Sequence, residues 1–230
     1  AEDAMLKNKK ITNSEGATRS FSKNTYNIIN SKGFNAKYSK TFHSISSIAI
    51  AGSDTNMQRD YEYSAATHSG DLLPAEEVGS LAAKRATSRL NSKKIKSCTL
   101  DVIFEPRVAK SILSSFCSCA SGTSIARGTS FLNNQLNTSI FKKNINITNN
   151  PKLKRGIGSA PYDSSGIKTE NISIIQDGIL KNYFLNIRSA RQLKMAVNGN
   201  SSPSNLILNK GDQNIETIIK DIKNGFLVTE

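Results

Sequence analysis

Apolar and polar positions change their spacing several times along this chain, and each change predicts an element. Residues 1–8 are helix-like in composition, and residues 10–16 read as a short strand closed by a turn. From 21 to 50, aromatic and β-branched residues are interleaved with Ser, Thr and Lys. Ser31-Lys32-Gly33-Phe34 supplies a turn, so residues 34–39 and 42–51 are predicted as antiparallel strands. Gly52-Ser53-Asp54 turns the chain again and residues 57–66 continue the strand pattern. The period then lengthens: Val78, Leu81, Ala82, Arg85, Ala86 and Leu90 fall on one face of a helix over 71–91. Pro74 suits its first turn, where an N–H has no partner to lose, and Glu76 and Glu77 complement the positive helix end. Gly79, in mid-helix, costs about 1 kcal/mol relative to Ala and permits a close neighbour.

Residues 91–96 are polar and basic and read as a linker. After it come an apolar strand over 98–104 and a helix opened by Glu105-Pro106, with Val108, Ile112, Leu113 and Phe116 along one side and an end near Gly122. Residues 129–147 and 151–166 form mixed segments with turns. Two β-rich runs, 172–175 and 179–187, flank Asp177-Gly178, a pair that supplies the positive φ angles of a type I′ hairpin turn. A helix over 214–224, stopped by Gly225, and a strand over 226–229 complete the pattern. The predicted class is α+β, with mostly antiparallel sheets, a few packed helices and two subdomains, 1–95 and 96–230.

Mean hydropathy is −0.39, and no apolar run approaches the roughly 18 residues that span a bilayer. Ala1-Glu2-Asp3-Ala4 has neither a basic n-region nor an apolar h-region, so no secretory leader and no membrane partner are expected. Three cysteines, Cys98, Cys117 and Cys119, make a poor disulfide framework and fit a reducing, cytoplasmic setting. Net charge is +13, from 31 Lys and Arg against 18 Asp and Glu. The basic residues are scattered, form no helical stripe and have no interleaved aromatics, so nucleic acid is not the expected partner. Asn and Ile are each roughly a tenth of the chain, above ordinary usage, and the Lys, Asn and Ile excess is what an AT-rich genome produces.

Candidate chemistry is thin. A zinc hydrolase needs two or three imidazole or carboxylate ligands and a general base. The two histidines, His43 and His68, stand 25 residues apart with no Glu at helical spacing, and Cys117-Ser118-Cys119 lacks both the usual pair spacing and a second pair. Gly156-Ile157-Gly158-Ser159 matches neither a nucleophile elbow nor a phosphate loop. No catalytic or metal-ligating residue is therefore assigned. Tyr162, Asp163 and Gly166 lie on a Pro-, Asp- and Gly-containing loop that either sets a turn or borders a cavity. Arg188 and Arg191, predicted at the end of a strand, either clamp a carboxylate or form surface ion pairs.

The order of several segments resembles the TldD/PmbA family, linked to a zinc peptidase and also described as modulators of DNA gyrase. They are Ser14-Glu15-Gly16, Met57-Gln58-Arg59-Asp60-Tyr61, Asp71-Leu72-Leu73-Pro74, Val102-Ile103-Phe104-Glu105-Pro106, Ala120-Ser121-Gly122 and Gly158-Ser159-Ala160-Pro161-Tyr162-Asp163-Ser164-Ser165-Gly166, with Ser189-Ala190-Arg191-Gln192-Leu193 beyond. Catalytic members carry a His-Glu-x-x-x-His helix in the strand-to-helix unit that resembles residues 102–122. This chain has Ser111-Ile112-Leu113-Ser114-Ser115-Phe116 there. The resemblance therefore implies the PmbA or TldE type, a subunit without its own metal site. It implies a TldD-type catalytic partner in a heterodimer, or a homo-oligomer, with zinc in the partner and unfolded peptides as substrate, in antibiotic-peptide maturation or antitoxin turnover. It also implies a chamber lined by Tyr162, Asp163, Gly166, Arg188, Arg191, Asn198, Gly199 and Asn200. Family members are roughly twice this length, so a middle domain and most of a C-terminal domain are expected. The rival expectations are a basic nucleic-acid-binding module and a stand-alone hydrolase with an unrecognised site.

Overall fold

The computed structural model describes all of residues 1–230, and the chain divides into two compact units. The first comprises Ala1–Asn27 and Lys37–Lys96; the second, Ile28–Ala36 and Ser97–Glu230.

The first unit is helix on sheet. A short helix α1 (Glu2–Leu6) precedes strands β1 (Ile11–Ile29), β2 (Asn35–Ala51) and β3 (Gln58–Ala66), which form a sheet in the order β1-β2-β3; the tip of the β1-β2 hairpin, Ile28–Ala36, is counted with the second unit. β1 does not stop at Gly16 as the sequence suggests; it runs for 19 residues because it keeps a partner along its length. One register joins Thr12 to Gly52, Ser20 to Ser44, Thr25 to Ser39 and Asn30 to Phe34. Burial along β2 changes midway. Its first residues are largely open, whereas Ile45, Ser47, Ala49 and Ala51 alternate inward under helix α2 (Ala75–Ser88).

α2 presents Val78, Ala82, Ala83 and Ala86, all buried, and the three alanines meet Met5, Ile11, Ala49 and Ala51 in an alanine-rich core. Small side chains let backbones approach, and Gly79 shows how closely: a Cβ there would collide with the main-chain carbonyl of Ala1. Arg85 and Arg89, one helical turn apart, reach Glu62 and Asp60, two apart on β3. The distances are 2.8 Å and 3.4 Å. The two periods, 3.6 and 2, thus present matched charges to one another.

The second unit has two sheets. Strand β4 (Asp101–Phe104) leads into helices α3 (Pro106–Cys119) and α4 (Gly122–Ala126), and β4 pairs in parallel with the last strand, β9 (Gly225–Val228), which follows helix α6 (Ile215–Asp221). The other sheet is antiparallel, ordered β7-β6-β5-β8, from β5 (Ile147–Asn149), β6 (Ile172–Gln176), β7 (Ile179–Leu180) and β8 (Leu206–Leu208). Asp177 and Gly178 take φ angles of 49° and 75° in the predicted turn. Phe116, Cys117, Ile125, Leu132, Ile174, Ile175, Leu180 and Phe184 fill the core beneath.

The hairpin's second arm departs from expectation. Only Ile179 and Leu180 pair; Phe184 N–H then bonds to Ala120, Leu185 N–H bonds to Asn200, and Ile187–Leu193 forms helix α5. Arg188 and Arg191 therefore lie on a helix, not at a strand end. The cause is local: Asn186 caps the helix by accepting from Ser189 N–H at 2.8 Å, and Lys194 closes it in the left-handed conformation. No helix is long and apolar enough to cross a membrane.

Candidate functional site

The residues singled out from sequence gather in the second unit around one loop. Thr169 N–H donates to Pro161 C=O and Thr169 Oγ1 to Ala160 C=O, which closes the neck of the loop. Inside it, Asp163 Oδ1 accepts from the N–H groups of Ser165 and Ile167, each at 2.9 Å. This is the arrangement in which an Asp side chain substitutes for a backbone acceptor and fixes a turn. Gly166 completes the turn at φ +80°, and a side chain there would run into the Phe34 ring. Phe34 also meets Tyr162 edge to face at 5.0 Å. Asp163 is buried, and its second oxygen, Oδ2, has no hydrogen-bond partner.

Cavities open on two sides of this loop and share Ser164. One, about 180 Å³, is walled by Tyr162, Asp163, Thr169, Gly199 and Asn200 together with residues 201–204. The other, about 600 Å³, is lined by Ser164, Ser165, Asn186, Ile187, Arg188, Arg191 and Gln192. A third, about 210 Å³, shares Asn186, Arg188 and Gln192 with it and adds Thr123, Arg127 and Ser189. Tyr162, Asp163, Gly199 and Asn200 are thus brought together, and Arg188 and Arg191 stand on the other side of Ser164. Gly166 and Asn198 line none of these cavities.

Asn198 and Asn200 are engaged within the fold. Asn198 Nδ2 donates to Tyr183 C=O, and Asn200 Nδ2 donates to the carbonyls of Glu170 and Asn198. Asn200 Oδ1 accepts from buried Asn149, whose own oxygen accepts from Ser204. These amides hold the cavity wall and have little left for a ligand. The Gly156-Ile157-Gly158-Ser159 segment is held likewise: Asn205 Oδ1 accepts from Gly158 N–H, and Asn205 Nδ2 donates to Ser159 Oγ, which donates to Leu153 C=O. It is a tied-down turn. Sequence reading missed Arg127, because it lies some sixty residues from its neighbours Arg188 and Arg191 at the end of a five-residue helix.

The chain's soft and imidazole side chains do not fit zinc. His68 Nδ1 accepts from Gly70 N–H, His43 packs on the Phe21 ring, and burial pushes the Cys117 thiol up to about 11, so it holds its proton. Cys98 is exposed, and no group of three or more His, Cys, Asp or Glu gathers anywhere. α3 carries no His, Asp or Glu.

The helix-on-sheet unit and the mixed unit that follows it correspond to two successive domains of a metallopeptidase family. Residues 1–90 match the family model of the PmbA/TldA metallopeptidase central domain and residues 97–230 that of the C-terminal domain. The chain belongs to the PmbA/TldD family. It is 37% identical over its whole length to a Metalloprotease PmbA homolog of Buchnera aphidicola from Acyrthosiphon pisum, and 34% identical to Metalloprotease PmbA of Escherichia coli O157:H7, in each case covering 52% of the relative. The chain therefore spans about half the length of the curated relatives it matches. Among solved structures, a Bacteroides thetaiotaomicron protein named for modulation of DNA gyrase superimposes with a TM-score of 0.91 at 27% identity, over all of this chain and 52% of that one. TldE of Thermococcus kodakarensis shares the fold, with a TM-score of 0.82 at 18% identity over 98% of this chain and 53% of that one.

Proposed function

We propose that this chain supplies the central and C-terminal domains of a non-catalytic subunit that pairs with a metal-bearing relative to form a cytoplasmic peptidase of unfolded peptides. The observation that carries the reading is the composition of α3. It follows β4 as the catalytic helix does in the resemblance described above, yet Pro106–Cys119 offers no imidazole or carboxylate. Without a ligand set or a general base, this helix has no means to hold a metal or activate a water. The zinc belongs in the partner, and this chain's part is to pair and to hold substrate. The loop of Asp163 and the cavities on either side of it are the places where an extended peptide would lie.

Co-expression tests the reading. The chain is produced with a family member carrying His-Glu-x-x-x-His, and the purified material is assayed for stoichiometry, bound zinc and cleavage of an unfolded peptide. The expected result is a one-to-one complex, zinc equal to the amount of partner, and cleavage that needs both chains. Zinc-dependent cleavage by this chain alone, or failure to associate with such a relative, overturns it.

A further inference from the structure

Arg127, Arg188 and Arg191 stand around two adjoining cavities that share Asn186, Arg188 and Gln192, and none of their guanidinium groups forms an ion pair or a side-chain hydrogen bond within the fold. Arg188 lines both cavities, Arg191 the larger and Arg127 the smaller. No Asp or Glu lines either one. The nearest carboxylate along the lining loop, Asp163, has one oxygen committed to Ser165 and Ile167 N–H and the other buried. The remaining polar lining donates as well: Asn186 Oδ1 is used by Ser189 N–H, which leaves its NH₂, and Ser164, Ser165 and Gln192 add hydroxyls and an amide. Three positive charges and several neutral donors, with no carboxylate in either lining, are complementary to an anion with planar, paired oxygens.

Resting on the reading that this subunit holds peptide, we infer that the Arg127–Arg188–Arg191 cleft is a subsite for a peptide carboxylate, supplied by the C-terminus or by an acidic side chain. The larger cavity, about 600 Å³, accommodates a few residues of extended chain, and Ile187 gives it an apolar wall. A nucleic-acid strand is the poorer match, since no aromatic ring lines either cavity to stack a base. The cleft thus gives the subunit a preference among unfolded peptides that backbone pairing alone lacks, because the main-chain hydrogen bonds of strand addition supply affinity and side-chain pockets supply specificity.

The test is direct binding to the full chain, followed by fluorescence anisotropy with a labelled, Ala- and Gly-rich octapeptide that carries one internal Glu and a free C-terminus. Three companions replace the Glu by Gln, amidate the C-terminus, or do both. The inference expects the doubly neutral peptide to bind at least tenfold more weakly, and the single change that produces the loss identifies the source of the carboxylate. Arg188→Gln and Arg191→Gln should each weaken the acidic peptide about tenfold, while Lys143→Gln, an equal loss of charge elsewhere in the unit, leaves it unchanged. Equal binding of acidic and neutral peptides overturns the inference, as does an equal loss with Lys143→Gln. So does a single-stranded oligonucleotide that binds through the same arginines and is not displaced by acidic peptide. Absence of peptide binding overturns it too, yet leaves subunit pairing to be judged by co-expression.

Discussion

Arginine is used in two opposite ways in the two units. In the first, Arg85 and Arg89 reach from α2 to Glu62 and Asp60 on β3, and Arg59 forms a two-pronged pair with Glu15 at 2.8 and 2.9 Å. In the second, Arg127, Arg188 and Arg191 stand around two adjoining cavities with no carboxylate in either lining. Arg85 and Arg89 join a helix to a sheet, and their carboxylates are largely withdrawn from water, with the Glu62 side chain 13% exposed and that of Asp60 7%, whereas the Arg59–Glu15 pair lies between strands and is open to solvent. The cleft set is exposed and holds nothing together. Ion pairs near a low-dielectric core are costly to break because the survivor stays buried and uncompensated, whereas isolated exposed charges contribute little to folding. The difference therefore separates structural arginines from ones available to a ligand.

The largest effect expected from that contrast is in the first unit. Glu62→Ala removes the carboxylate that Arg85 Nε bonds at 2.8 Å against the sheet and should lower stability by about 2 kcal/mol, read from urea unfolding. Replacing both partners, Glu62→Leu with Arg85→Met, should recover at least half of that loss, because apolar side chains of similar volume suit a partly buried site as well as a pair does. A double variant as unstable as the single one would show that the pair contributes more than its charges.

How far these features are readable in the sequence follows from their range. α2 was legible because Pro74, the two glutamates and the 3.6-residue spacing of Val78, Ala82 and Ala86 agree with one another, and Asp177-Gly178 declares its own turn. α5 was not, because Ile179 to Leu185, rich in apolar and aromatic residues around Lys181-Asn182, suits a strand. Its exit from the sheet depends on bonds to Ala120 and Asn200, far away in the chain. β5 and β8, three residues each, are too short to have a period. In the site, the Asp163 loop was legible from its own residues. Arg127 was not: only the packed helices α4 and α5 bring it to Arg188. The saturation of Asn198 and Asn200 likewise depends on Asn149, Glu170 and Tyr183, which no local pattern announces.

In the second unit the same kind of substitution should have the opposite outcome. Arg188→Gln and Arg191→Gln should leave the free energy of urea unfolding within about 0.5 kcal/mol of the parent. A small gain is the favoured sign, since the two positions are three apart on α5 and their like charges repel. A loss of 2 kcal/mol at either position would make the cleft arginines structural and erase the contrast.

The smallest effect tests the exposed member of the paired set. The hydrogen bonds and charge of Arg59 hold the Glu15 carboxyl below its ordinary value of 4.5. A carboxyl depressed in the fold contributes stability above its unfolded value, and that contribution is lost as pH falls through the folded one. Glu15→Gln should therefore lower the thermal midpoint slightly at pH 7, and the difference from the parent should shrink below pH 4.5. Because the pair is open to solvent, 0.5 M salt should shrink it at pH 7 as well. The Glu62–Arg85 pair, withdrawn from water, should be much less sensitive to that salt. If both pairs responded alike, burial would not be what distinguishes them, and the structural arginines would have to be explained by geometry alone.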